Sequence, residues 1–113
     1  MKKDSVTPRR LDADVIPFNN LSPAEAERLA LLMEEAGEIV QIAGKILRHG
    51  YEEYNPNDVN QTRNRNLLER ELGDMQAAMR IMLRAADISE AEIKYFEQFK
   101  LERVNKYLHH NKV

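Results

Sequence analysis

The sequence predicts an all-α protein built from long helices. Apolar residues recur at helical spacing over three long stretches, and no segment alternates long enough to form a convincing strand. The chain has 113 residues, about one domain's worth. With 42% hydrophobic and 32% charged residues, its composition is typical of a folded helical protein rather than a disordered one.

The first helix has clear start and stop signals. Ser22 is a good N-cap, and Glu25, three residues later, completes a capping box. No helix breaker follows until Gly50, which is a natural C-terminal stop. Gly37 and Gly44 lie within this helix on nearly one face, and they suggest either a close approach of another helix or a bend.

Two further helices are expected in the second half of the chain. One begins near Asn64 or Asn66 and runs to about Asp87. The next has Ser89 as its N-cap and a helical apolar spacing that continues to about His110.

The remaining segments are irregular. Residues 51–63 contain Asn-Pro-Asn-Asp and are predicted to form a loop, and a connection of this length in a small domain is often functional. Residues 1–21 show no sustained period, so they are either an extended N-terminal arm or a disordered tail. The all-α domain would then span residues 22–113.

Composition excludes several classes of function. The 19 acidic and 17 basic residues give a formal charge of −2, which argues against a stable nucleic-acid partner. There is no cysteine, so disulfides and zinc–thiolate sites are excluded and the cytoplasm is the simplest compartment. The longest apolar run, Leu29 to Met33, is far too short for a membrane span, and no membrane association is expected.

Two acidic pairs fall on the apolar faces of the first two helices. At about 100° per residue, Glu35 lies in the middle of an apolar stripe and Glu38 lies one turn further along it. Glu71 and Asp74 have the same arrangement in the second helix, whereas Glu69 points the opposite way. The stripes consist of Leu31, Leu32, Ile39 and Ile42 around Glu35, and of Leu67, Leu68, Met75, Ala78 and Met82 around Glu71.

Four converging carboxylates repel one another and are costly to desolvate unless a cation compensates them. An all-oxygen set selects a hard cation, Mg²⁺ or alternatively Mn²⁺, and the absence of a Glu-x-x-His motif disfavours di-iron chemistry. The sequence therefore predicts a magnesium site formed by Glu35, Glu38, Glu71 and Asp74. The alternative is that these acids are half exposed and pair with basic neighbours, namely Arg70, Lys45 or Arg84.

The residues around these acids resemble a known family. Glu34-Glu35-Ala36-Gly37-Glu38, followed by Glu71-Leu72-Gly73-Asp74, is similar to the paired EExxE and ExxD motifs of MazG-like nucleotide pyrophosphohydrolases. These enzymes belong to the all-α nucleoside triphosphate pyrophosphatase group. Each short motif alone is unspecific, whereas the ordered pair on helices is fairly specific, and the resemblance covers about residues 22–110.

The resemblance implies a MazG-like helical bundle of long antiparallel helices that is completed by oligomerisation. It also implies cleavage of a nucleoside triphosphate between the α and β phosphates, which gives a monophosphate and pyrophosphate. Carried over to this chain, Glu35, Glu38, Glu71 and Asp74 would hold Mg²⁺. Glu34 would support these ligands from behind or act as a base that helps to activate water.

A triphosphate also requires positive charge from the protein. Each basic residue taken alone is more often a solvated surface residue. The candidates are Lys45 and Arg48 on the first helix, Arg63 and Arg65 at the end of the loop, and Lys100 and Arg103 on the third helix. Tyr51 and Tyr54 could stack on a base, but loop tyrosines are more often part of ordinary packing.

The first helix carries apolar residues over a wider arc than three helices can cover within one protomer, and the family commonly forms dimers or tetramers. A homodimer or homotetramer is therefore expected. The other hypothesis for the function is a catalytically inactive helical dimer that acts as a nucleotide- or protein-binding module. Two features depart from the family pattern, namely the long 51–63 loop and the presence of only three clear helices.

Overall fold

The computed structural model describes residues 18–110 and 112–113. Over these residues the protein is all-α, as predicted, with three α-helices: α1 (Pro23–His49), α2 (Asn64–Arg84) and α3 (Glu90–Arg103). A short 3₁₀ turn, Val104–Lys106, follows α3. Most of the predicted arm, residues 1–17, lies outside the described residues. No helix in the described part of the chain is long and apolar enough to cross a membrane.

Helix α1 begins and ends where its sequence signals predict. The Ser22 hydroxyl accepts a hydrogen bond from the backbone N–H of Glu25 at 3.1 Å, and the Glu25 carboxylate accepts one from the Ser22 N–H at 2.7 Å. Gly50 closes the helix with φ 89°, a conformation that favours glycine, and its N–H donates to the carbonyl of Ile46. The capping box and the glycine stop are both confirmed.

Helices α1 and α2 pack along each other as an antiparallel pair. At one end, Arg28 in the second turn of α1 makes a bidentate ion pair with Asp87, just beyond α2, at 2.6 and 3.0 Å. At the other end, the Asn64 side chain donates to the carbonyl of Gly50 at 3.0 Å. The buried apolar residues between the helices are Ile42, Ala78 and Met82.

Helix α2 ends three residues before the predicted end at Asp87. The N–H of Asp87 bonds the carbonyl of Met82 and the N–H of Ala86 bonds that of Leu83, which is a Schellman arrangement. This arrangement requires Ala86 to adopt φ 63°, a left-handed conformation that terminates the helix. The terminator was not predicted because alanine normally favours helix continuation.

The loop between α1 and α2 is irregular but ordered by many hydrogen bonds. The carboxylate of Asp58 accepts bonds from the N–H groups of Asn60 and Thr62, and these bonds lower the pKa of Asp58. Two carbonyls of the loop also accept hydrogen bonds from the first N–H groups of α2. The N–H of Asn64 donates to the carbonyl of Glu53, and the N–H of Arg65 donates to the carbonyl of Tyr51. The loop thus caps the start of α2, in place of a side-chain N-cap.

Helix α3 was predicted to continue to about His110, but it ends at Arg103. The chain then folds back, with the Lys112 ammonium donating to the carbonyls of Asn105 and Leu108, and with the Asn105 side chain pairing with the backbone of Val113. These bonds compete with helix continuation for the same carbonyls. The 3₁₀ turn continues directly from α3, and α3 makes only sparse contacts with the α1–α2 pair.

A row of apolar residues on α1 remains uncovered. Met33, Val40 and Leu47 recur every seven residues and are 73%, 71% and 88% exposed. Within residues 18–110, no other helix lies within 4 Å of a Cβ position at Gly37 or Gly44, so the close helix approach suggested by these glycines is not found there. The radius of gyration is 20.4 Å, well above the ~13 Å expected for a compact domain of this length.

Replacing Ala86 with glycine should stabilise the protein by about 1 kcal/mol, because glycine adopts φ 63° without the Cβ penalty that alanine carries. Urea denaturation followed by circular dichroism measures this change. Ala85→Gly is the matched control, since Ala85 lies in the right-handed region at φ −84°. Equal effects of the two glycines on the free energy of unfolding would contradict the strain assigned to Ala86.

Candidate metal centre

The antiparallel pairing brings the predicted acidic residues of α1 and α2 together. One oxygen each from Glu35, Glu71 and Asp74 lies within 4.8 Å of the others. Glu35 and Glu71 are half-buried, and Asp74 is exposed at the edge of the cluster. Glu35 is on the packed face of α1 because it shares that face with the buried Ile42, seven residues on.

Two oxygens in this cluster are buried without any hydrogen-bond partner. They are Oε1 of Glu35 and Oε1 of Glu71, one from each helix. A buried carboxylate oxygen that lacks a partner is destabilising, because it has lost its water and gained nothing in exchange. Among the described residues the only other side-chain atom in this condition is Oδ1 of Asn64.

The electrostatics of the cluster show that Glu38 belongs to it as well. Burial raises the pKa of Glu35, and the charges of Glu38 and Asp74 raise it further. The pKa of Glu71 is raised first by a hydrogen-bonding contact with the Glu38 carboxyl, then by burial. Glu38 therefore interacts electrostatically with both Glu35 and Glu71, whereas the oxygens that lie within 4.8 Å of one another belong to Glu35, Glu71 and Asp74.

No basic side chain of the described residues neutralises these acids. The ion pairs within 4 Å there are Arg28–Asp87, Arg65–Glu52 and Lys94–Glu90. The alternative stated from the sequence was that these acids pair with Arg70, Lys45 or Arg84. None of these three basic residues forms an ion pair with the cluster. Arg70 acts on it only weakly, by slightly opposing the rise in the pKa of Glu71.

The other basic and acidic residues proposed from the sequence do not belong to the group of acids whose oxygens approach one another. Glu34 is exposed and makes the smallest contribution to the raised pKa of Glu35. Lys45 lines a cavity near the C-terminal end of α1, and Arg48 is exposed on the same helix. Lys100 lies over the ring of Tyr107, just beyond the 3₁₀ turn, and Arg103 lies over the ring of Phe99 in α3, so both contact aromatic residues of the C-terminal part of the chain.

Comparisons with protein-family models, with curated proteins and with solved structures give no match for this chain. The chemistry available to the cluster therefore follows from the type and surroundings of its donor atoms. Its donors are all carboxylate oxygens, which suit a hard divalent cation, and the two unpartnered oxygens are the atoms that such an ion would satisfy.

Two polar features of the α1–α2 pair were not predicted from the sequence. Asn64 was identified only as a helix start, and its burial could not be anticipated because asparagine is normally exposed. The Arg28–Asp87 ion pair joins residues 59 positions apart, and no periodicity signals a contact of that range. The position of Asp87 gave one weak indication of this contact. It lies near the predicted end of α2, and the start of α1 would lie beside that end if the two helices were antiparallel.

Neutralising one acid of the cluster should stabilise the metal-free protein, because the substitution removes charge repulsion and leaves an amide that can still form hydrogen bonds. We expect Glu71→Gln to raise the melting temperature in EDTA at neutral pH by several degrees. Glu69→Gln, on the exposed face of the same helix, is the control and should change it little. A lower melting temperature for Glu71→Gln than for Glu69→Gln would show that the cluster is not self-repelling.

The pH dependence of stability should have the matching sign. Glu35 and Glu71 have pKa values above the usual 4.5 in the folded protein, so the folded state holds their protons more tightly than the unfolded state. Their contribution to stability is fully present below the usual pKa and is lost as the pH rises through the folded-state pKa. The melting-temperature difference between Glu71→Gln and wild type should therefore widen between about pH 4 and neutrality, and Mg²⁺ should close it.

Proposed function

We propose that this chain is a Mg²⁺-dependent nucleoside triphosphate pyrophosphohydrolase of the MazG-like type, which converts a (d)NTP into a monophosphate and pyrophosphate. The observation that carries the proposal is the approach of Glu35, Glu71 and Asp74 within 4.8 Å across the α1–α2 pair, with one unpartnered buried oxygen on each helix. The motif resemblance supplies the reaction type, and the acid cluster offers a means of binding the ion that this reaction requires.

The residues present fit a divalent cation. Glu35, Glu38, Glu71 and Asp74 would hold it, and they bring more negative charge than a single Mg²⁺ neutralises, which leaves capacity for a second ion. Mn²⁺ prefers the same oxygen donors. When bound, the metal neutralises phosphate charge and lowers the pKa of a coordinated water.

The remaining chemistry belongs to side chains around the acids. Glu34 is adjacent to Glu35 and exposed, so it is free to accept a proton from the attacking water. Attack at the α phosphorus breaks its bond to the α–β bridging oxygen, and pyrophosphate leaves with that oxygen. No covalent intermediate with the protein is needed. Lys45 and Arg48 on α1 would contribute positive charge toward the phosphates.

Lys100 and Arg103 enter the proposal through assembly. Helix α3 leaves Tyr95, Phe96 and Leu101 substantially exposed, and the α1 row of Met33, Val40 and Leu47 is also uncovered. Exposed apolar area of this extent is typical of an interface, and we propose a homodimer or homotetramer in which α3 packs on a partner protomer. Such packing would bring the basic end of α3 toward an acid cluster.

The same exposed surface also favours a second candidate, a catalytically inactive helical dimer that binds nucleotide or protein. Such a protein would bind without turnover. The acid cluster favours the enzyme, because a module that only binds has no use for carboxylate oxygens that are buried without a partner.

Incubating the protein with each canonical and damaged nucleoside triphosphate and Mg²⁺ should release pyrophosphate and a monophosphate, not orthophosphate. Glu38→Gln and Asp74→Asn should each lower kcat at least about 100-fold, since each removes a direct metal ligand. Glu69→Gln is the matched control and should leave the rate within about twofold of wild type. Glu34→Gln should lower kcat while magnesium binding, followed by calorimetry, is retained.

Two results would overturn the proposal. One is the absence of pyrophosphate release from every nucleotide with either Mg²⁺ or Mn²⁺. The other is an unchanged rate in Glu38→Gln, which would mean that the activity does not depend on the acid cluster.

A further inference from the structure

A cavity of about 610 Å³ lies at the loop end of the α1–α2 pair. It is bounded by the last two turns of α1, the 51–63 loop and the first residue of α2. Its volume is in the range of small-molecule sites, ~300–1,000 Å³. The residues used below are Lys45, His49, Tyr54, Asn55, Gln61 and Asn64.

Asn64 forms a buried part of the wall of this cavity. The residue is fully buried, and its Nδ2 donates to the carbonyl of Gly50 at 3.0 Å, which fixes the orientation of the amide. Its Oδ1 is left without any hydrogen-bond partner. This oxygen is itself closed to solvent, so Asn64 supports the wall of the cavity from behind.

The cavity and the acid cluster lie on the same faces of both helices. Lys45 is seven residues after Glu38, and Asn64 is seven residues before Glu71. Seven residues return a helix to within about 20° of the same direction, with an axial advance of about 10 Å. The cavity therefore lies two helical turns from the acids on each helix, in line with them along the helix pair.

The walls of the cavity combine an aromatic ring with polar groups of both kinds. Tyr54 is half-buried, and it is held in place by a backbone bridge to Arg63, whose guanidinium lies 5.6 Å from the ring centroid. Asn55 and Gln61 offer amide donors and acceptors, and Lys45 and His49 add nitrogen donors. A flat heterocycle with apolar faces and polar edges matches this mixture.

We propose that this cavity binds the base of the nucleotide, with its phosphates directed along the helix pair toward the acid cluster, an inference that rests on the proposed function. The Tyr54 ring contacts the face of the base, and the side-chain amides of Asn55 and Gln61 bond its polar edge. The long 51–63 loop is then the base-recognition element of this chain.

Nuclear magnetic resonance titrations with deoxynucleoside 5′-monophosphates test the proposal directly, with ribose 5-phosphate as the probe that lacks a base. The variants are His49→Ala and Tyr54→Leu, which alter the wall and leave the buried Asn64 in place. Phe18→Leu and His109→Ala are matched controls on exposed residues outside the cavity lining. Circular dichroism melting of each variant confirms that it is folded.

A preferred monophosphate should shift the backbone amides of Tyr54, Asn55 and Gln61, and it should bind about tenfold more tightly than ribose 5-phosphate. His49→Ala and Tyr54→Leu should each weaken its binding several-fold, and the two controls should not. Equal binding of ribose 5-phosphate, shifts confined to the acid cluster, or unchanged affinity in both wall variants would each overturn the assignment.

Parallel pyrophosphate assays separate this inference from the proposed function. If nucleotides are hydrolysed while His49→Ala and Tyr54→Leu leave KM unchanged, the base-site assignment fails and the enzyme activity stands. If monophosphates bind in the cavity but no triphosphate is hydrolysed, the base site stands and the enzyme activity fails.

Discussion

The antiparallel register of α1 against α2 is the constraint on which the rest of the structure depends. It is held at one end by the Arg28–Asp87 ion pair, whose contact raises the pKa of Arg28 and lowers that of Asp87, and at the other by the bond from Asn64 to Gly50. Shifting one helix by a turn, about 5.4 Å, would lose both attachments. The same shift would separate the acidic pairs, which meet only in this register.

The interface between α1 and α2 is small, and it contains both stabilising and destabilising contacts. Few apolar residues are fully buried, and the acid cluster occupies part of the same surface with two unpartnered oxygens. Apolar burial and the two end contacts therefore work against carboxylate repulsion. A cation at the cluster would convert that repulsion into attraction, so that metal binding and helix pairing would stabilise each other. Polar atoms left unsatisfied in an otherwise ordered structure are the kind of departure that marks functional positions.

Several elements were predictable because their causes are local. The capping box at Ser22 and the stop at Gly50 involve residues within one turn of each helix end, and they were confirmed. The ends of α2 and α3 were misjudged because their causes are not visible in helical periodicity. Helix α2 stops at a left-handed alanine that also positions Asp87 for Arg28, and the chain after α3 folds back through bonds from residues 112 and 113.

For the site itself, the sequence alone determined which acids share a face with the core, because the 3.6-residue period fixes the direction of every side chain around its own helix. It determined nothing about the distances between helices. The approach of Glu35, Glu71 and Asp74 within 4.8 Å, the two buried oxygens without partners and the cavity around Asn64 were decided by the tertiary structure. These features depend on helix register and on the path of the 51–63 loop, both set by contacts between residues far apart in the chain.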